Sequence, residues 1–76
     1  MTRKEIFKAI DDEREYQTEK YGVEFDSENS PNDWISYITA YAGRGYSWNR
    51  SKDKGAEFKS AMVKVAALAV AALETI

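Results

Sequence analysis

The sequence predicts an all-α protein, a small three-helix hairpin-like bundle that assembles into a homo-oligomer. Two helix-start signals and a long apolar C-terminal segment indicate the helices, and no stretch shows the alternating pattern of a strand. The 76 residues suffice for one domain, 1–76, but a chain this short buries too little surface for a large core. Because Cys and His are absent, disulfides and the commonest structural metal sites cannot add stability, which leaves association between copies.

The first helix is predicted at about residues 3–21. Thr2 and Glu5 form a T-x-x-E capping box at its start, and Gly22 supplies a left-handed stop at its end. Residues 23–29 show no helical period, so they are predicted to be a loop.

One face of this helix begins apolar and becomes polar toward its end. It comprises Ile6, Phe7, Ile10, Arg14, Gln17 and Tyr21. A polar group at a position that should be buried needs a partner, and for Arg14 the expected partner is a carboxylate or a phosphate.

The second helix is predicted at about residues 31–46, with Ser30 as N-cap, Pro31 at the first helical position and Asp33 in the first turn. Its expected inward face is Trp34, Ile35, Ile38, Ala42 and Gly45. A neighbouring flank consists of Tyr37, Tyr41, Arg44 and Trp48. Aromatic rings beside a guanidinium are typical of sites where bases stack and phosphates bind, although packing is the alternative role for such rings.

The third helix, predicted at about residues 55–75 after a polar connection at 49–54, is apolar on two sides. One side holds Phe58, Ala61, Met62, Val65, Leu68, Ala69, Ala72 and Ile76, and the other holds Val63, Ala66, Val70 and Leu73. Two short helices can cover only one of these sides, so the other is expected to face a second copy. The small residues Ala66, Ala67 and Ala71 would let the backbone of that copy come close.

Two constellations and one lysine are candidates for ligand binding. The first constellation lies in the segment Glu13 to Gly22, whose alternative role is a solvated helix with Glu–Lys pairs. The second lies on the aromatic flank and the turn before it. Lys64 interrupts the apolar third helix. Its expected role is to contact a ligand phosphate, and the alternatives are a pair with Glu57 or a side chain that extends to solvent. The candidate ligand-binding residues are Arg14, Gln17, Lys20, Tyr21, Asn32, Trp34, Tyr37, Tyr41, Arg44 and Lys64.

No catalytic residue, metal ligand or cofactor site is predicted. Helical nucleotide pyrophosphatases hold Mg²⁺ with acidic pairs from two helices. This chain has Asp12-x-x-Glu15 on its first helix but no matching pair on the others. The sequence therefore predicts a binding protein and not an enzyme.

Three motifs together resemble a group of short phage and prophage proteins. They are E-R-x-Y-Q-x-x-K-Y-G at 13–22, S-P-N-D-W-I-x-Y-I-x-x-Y-x-G-R at 30–44 and F-K-x-A-M-V-K-V-A-A-L-A-V-A-A-L-E at 58–74. The group is similar to the phage sponges that sequester cyclic nucleotide immune signals of CBASS or Thoeris defence. That resemblance implies an oligomer that binds a cyclic nucleotide without cleaving it, with Gln17 and Asn32 available for base edges. We expect the oligomer to be a tetramer or larger.

Two other functions stay open. One is a Mg²⁺-dependent nucleotide pyrophosphatase, since the all-α MazG-type enzymes are similar at the level of the fold, and the other is an inhibitor that binds a host defence protein. A net charge of −2 argues against a large nucleic-acid partner. The longest apolar run, residues 65–73, is too short to cross a bilayer, so a cytoplasmic protein without a membrane partner is expected, in the host cell if a phage encodes it.

Overall fold

The computed structural model describes residues 1–46 and 55–75, and these form four helices. They are α1 (Arg3–Tyr21), α2 (Val23–Glu28), α3 (Pro31–Tyr46) and α4 (Ala56–Glu74). No strand occurs within these ranges, which confirms the all-α prediction. None of the four helices is long and apolar enough to cross a bilayer.

The capping box predicted for α1 is present. The backbone N–H of Thr2 donates to Glu5 Oε1 at 3.0 Å, and the backbone N–H of Glu5 donates to Thr2 Oγ1 at 3.2 Å. Each bond satisfies a backbone donor that the first turn of a helix leaves without a partner. Helix α1 begins at Arg3, as the motif predicts.

Gly22 ends α1 with a φ of 82° and a ψ of 161°. The positive φ agrees with the predicted stop, but this ψ lies in an extended region that is essentially restricted to glycine, not in the left-handed helical region. Its N–H still donates to the Thr18 carbonyl at 2.8 Å. As a result the chain turns within one residue and enters α2 directly.

The prediction of a loop at 23–29 is wrong, because Val23–Glu28 is a helix and the fold therefore has four helices, not three. The residue that anchors this helix is polar: Asp26 is buried and bonded to Arg14 of α1. A helix of only six residues is too short to show an apolar period, which is why the pattern did not reveal it.

The start of α3 follows the predicted chemistry. The Ser30 backbone N–H donates to Asp33 Oδ2 at 2.8 Å, and the Asp33 N–H donates to Ser30 Oγ at 3.3 Å. This is a capping box with Asp in the place of Glu. The third predicted helix corresponds to α4, and Gly55 precedes it with a φ of 95°. The predicted connection at 49–54, Trp48 and Ile76 lie outside the described residues.

The core is built on α4, which packs against both α3 and α1. The buried apolar residues of this core, in the described part of the chain, are Trp34, Ala61, Ala67 and Ala71. The expectation that Ala67 and Ala71 serve a second copy is wrong, since they are 0% and 1% exposed within one chain. An alanine has no side chain beyond Cβ, so the neighbouring helices can approach α4 closely at these positions.

The inward face of α3 is rotated from the predicted one. Ile35 is 63% exposed and Ala42 is also exposed, so both predictions of inward positions are wrong. The face toward the core instead contains Trp34, Tyr37, Ile38 and Tyr41, which are buried or half-buried. These four residues have helical i, i+3, i+4 and i+7 spacing, and the rotation brings the two tyrosines of the predicted flank inward.

Candidate functional site

A cleft of about 360 Å³ lies between the four helices, and we call it the central cleft. It is lined by Glu13, Tyr16, Gln17, Lys20 and Tyr21 of α1, Asp26 of α2, Trp34, Tyr37 and Tyr41 of α3, and Lys64 and Leu68 of α4. Five of these side chains are aromatic. All of these residues belong to one chain.

Two buried polar atoms of the cleft wall have no hydrogen-bond partner among residues 1–46 and 55–75. Gln17 is 9% exposed and its Oε1 accepts no hydrogen bond, while Trp34 is 5% exposed and its Nε1 donates none. Buried polar atoms are nearly always paired, so each such atom needs an explanation. Both residues line the central cleft.

The two lysines of the cleft lie over tyrosine rings. Lys20 Nζ is 5.8 Å from the ring centroid of Tyr16 and 5.2 Å from that of Tyr21. Lys64 Nζ is 5.4 Å from the ring centroid of Tyr41. These are cation–π distances, and they hold two ammonium groups at the cleft. A hydrogen bond with Tyr21 and the electrostatic effect of Tyr16 raise the pKa of Lys20 above its ordinary value.

Arg14 lies behind the cleft wall, where it joins three helices. Its guanidinium donates to Asp26 of α2 at 2.5 Å, to Glu74 of α4 at 3.0 Å and to Thr18 of α1 at 2.8 Å. Burial by itself lowers the pKa of Arg14, but the bonds with the two carboxylates outweigh this effect and raise it. Of the two partners expected from the sequence, carboxylate and phosphate, the structure therefore shows carboxylate.

No protein-family model, curated protein or solved structure matches this chain. The resemblance to phage sponges and the likeness to MazG-type pyrophosphatases therefore remain predictions. What bears on function is the chemistry of the cleft itself.

Most of the predicted ligand-binding residues meet at the central cleft. Those that line it are Gln17, Lys20, Tyr21, Trp34, Tyr37, Tyr41 and Lys64. Asn32 lies exposed in the first turn of α3 and does not line the cleft, and Arg14 is occupied by its carboxylate partners. The side chain of Arg44 lies outside the described part of the chain. The roles assigned to these last three residues remain predictions.

Sequence reasoning missed three residues of the cleft, and it noted Glu13 without giving it a role. Tyr16 precedes Lys20 by one helical turn, a spacing that signals contact between the two. Asp26 lies in the segment predicted to be a loop, and Leu68 lies on an apolar side of the third predicted helix. Asp26 and Glu13 add carboxylates to a site whose predicted members were aromatic, basic or neutral.

The acidic pair on α1 that resembles part of a pyrophosphatase site lies away from the cleft. Asp12 forms an exposed ion pair with Lys8 at 2.9 Å, and Glu15 is also exposed. Neither residue lines the central cleft. Across residues 1–46 and 55–75, no three acidic side chains are grouped as a metal site requires.

Proposed function

We propose that this protein binds a cyclic nucleotide in the central cleft and sequesters it without cleaving it. The observation that carries the proposal is the convergence of five aromatic rings and two lysine ammonium groups on one cleft. Such a site offers flat apolar surfaces beside positive charge, which is the combination that a nucleotide requires.

Each part of a nucleotide has a complementary group in the cleft. Tyrosine and tryptophan rings stack on bases of any sequence, and Trp34 and Tyr37 already meet edge to face with centroids 6.2 Å apart. The lysine ammoniums suit a phosphate, since each is a compact charge with several donors. The cleft volume of about 360 Å³ falls within the range of small-molecule sites.

We also propose that the protein works as a homo-oligomer. In the described part of the chain only one large apolar side chain, Trp34, is buried, and the other buried apolar residues are alanines. Phe7 and Leu73 are 64% and 72% exposed. Phe7 and Val70 also line a groove between α1 and α4. Exposed apolar side chains that share a groove, as Phe7 and Val70 do, are typical of a surface that is covered by a partner.

An incubation experiment tests the function and separates it from its rivals. The purified protein is mixed with cyclic dinucleotides and cyclic ADP-ribose isomers, the free nucleotide is measured, and the protein is then heated to release what it bound. A sequestering protein depletes the nucleotide and returns it intact. A pyrophosphatase returns cleaved product, and an inhibitor of a host protein causes no depletion; either result would contradict the proposal.

Variants locate the binding site. Tyr41→Ala removes a ring of the cleft and should weaken binding by about 5- to 150-fold if that ring stacks on a base. Lys64→Ala should cost about 10- to 150-fold if its ammonium meets a phosphate. Lys59→Ala is the matched control, because Lys59 is an exposed lysine of the same helix that does not line the cleft. Calorimetry in which Lys64→Ala and Lys59→Ala bind alike would rule out this site.

A further inference from the structure

The polar groups of the central cleft include two acceptors on one face of α1. Glu13 and Gln17 are one helical turn apart and both line the cleft. No hydrogen bond or ion pair joins the Glu13 carboxylate to another residue within 1–46 or 55–75, and Gln17 Oε1 is buried without a partner. Trp34 Nε1 contributes a buried donor that is also without a partner.

A carboxylate beside a buried amide oxygen calls for a ligand with adjacent donors, because both groups accept hydrogen bonds. Among the common bases, only guanine presents two neighbouring donors, the ring N1–H and the exocyclic N2 amine. Adenine and cytosine place a ring nitrogen acceptor beside their amine, and that lone pair would face the carboxylate. Uracil has a single N–H flanked by two carbonyl oxygens.

We infer that the cleft selects guanine, with Glu13 accepting from N1–H and N2–H while Gln17 accepts from the second N2–H. The Trp34 N–H is then available to the guanine O6, an acceptor on the same edge. This inference rests on the proposed function and adds the identity of the base. Glu13 is its specificity-determining residue, since a charge-assisted bond contributes more than a neutral one.

A comparison of the affinities of three ligands tests the inference. Calorimetry compares cyclic di-GMP, cyclic di-IMP and cyclic di-AMP, whose bases carry two, one and no donors of the guanine kind. We expect affinity to fall in that order, with guanine binding at least about 10-fold more tightly than adenine, because each buried acceptor left without its donor costs binding.

A pair of glutamate variants completes the test. Glu13→Gln should weaken binding of cyclic di-GMP by about 10- to 150-fold and leave cyclic di-AMP binding unchanged or stronger. Glu15→Gln is the control, since Glu15 is exposed on the same helix and does not line the cleft. Circular dichroism establishes that both variants are folded.

The two possible failures are distinct. Equal binding of the three ligands, or a folded Glu13→Gln variant that keeps the guanine preference, would overturn the inference and leave the proposed function standing. Absence of binding to any of them, together with no depletion of the other cyclic nucleotides, would overturn the proposed function and this inference with it.

Discussion

Arg14 of α1 is bonded to both α2 and α4 through its guanidinium. Its two ion-pair partners differ in burial: the Asp26 side chain is 10% exposed and that of Glu74 is 55% exposed. A charge removed from water must be compensated, whereas an exposed partner competes with solvent. The stability of the fold should therefore depend on Asp26 far more than on Glu74.

Substitution of the two carboxylates measures this difference. Asp26→Ala leaves the Arg14 guanidinium without its buried partner and should lower the free energy of unfolding by about 3–5 kcal/mol. Glu74→Ala should lower it by less than about 1 kcal/mol. Urea unfolding followed by circular dichroism gives both values, and equal losses would show that burial does not govern this ion pair.

The capping box of α1 should give a pH dependence. Hydrogen bonds from the Thr2 backbone and side chain lower the pKa of Glu5 below its ordinary value of 4.5. A carboxyl group whose pKa is lower in the folded state stabilises the fold fully above the unfolded pKa, and this contribution is lost as pH falls through the folded pKa. The difference in unfolding free energy between wild type and Glu5→Ala should therefore shrink between pH 7 and pH 3. A difference that does not change with pH would contradict this expectation.

At the scale of elements, the junction of α1 and α2 depends on the backbone of Gly22. Its positive φ and extended ψ direct the chain into α2, which places Asp26 beside Arg14 and at the cleft. A residue with a Cβ is strained in this conformation even though, in the described part of the chain, no atom lies within 4 Å of the position its Cβ would take.

Two glycine substitutions separate the effect of backbone strain from that of the space available for a new Cβ. Gly22→Ala should destabilise the protein by about 1–3 kcal/mol because of its φ of 82°. Gly43→Ala, inside α3 and also with no described atom within 4 Å of the new Cβ, should stabilise it by about 0.5–1 kcal/mol through helix propensity. Thermal melting of both variants checks the opposite signs, and a destabilised Gly43→Ala would refute the argument.

The starts of α1 and α3 could be predicted from the sequence because local chemistry defines them. Capping boxes act between residues three apart, so Thr2 with Glu5 and Ser30 with Asp33 can be recognised without knowledge of the fold. By contrast, α2 depends on a bond between Asp26 and Arg14, twelve residues apart, and no local pattern contains it.

The candidate site was predictable to the extent that its residues looked unusual for their positions. Gln17 and Lys64 interrupt apolar faces, and Tyr37 and Tyr41 form an aromatic flank, so these four residues could be selected from the sequence. The rotation of α3 that turns the tyrosines inward could not be predicted from the sequence, because it follows from how α3 packs against α4. That Asp26 lines the cleft could not be predicted either, because this depends on α2.

At the scale of the whole molecule, the proposed oligomer should depend on the outer face of α4. Val70→Glu places a carboxylate in the groove between α1 and α4 and should dissociate the assembly into 8.7 kDa chains. Thr39→Glu, at an exposed position of α3, is the control for added charge. Sedimentation at micromolar concentration checks both, and a folded wild-type protein of 8.7 kDa would end the proposal.

The same variant separates assembly from binding. Val70 does not line the central cleft, and the cleft wall comes from one chain. Dissociated Val70→Glu should therefore still bind the nucleotide, with a loss of less than about 10-fold. A complete loss of binding on dissociation would instead show that a second copy contributes to the site.

The burial of Trp34 at the cleft gives the protein an internal optical reporter. The sequence contains two tryptophans, so a Trp48→Phe variant would emit from Trp34 alone. Trp34 lines the cleft and meets Tyr37 edge to face, so a base stacked on its indole should quench its fluorescence, whereas unfolding should shift its emission to longer wavelength. One spectrum would thus distinguish an occupied site from a lost fold, and titrations would need no labelled nucleotide.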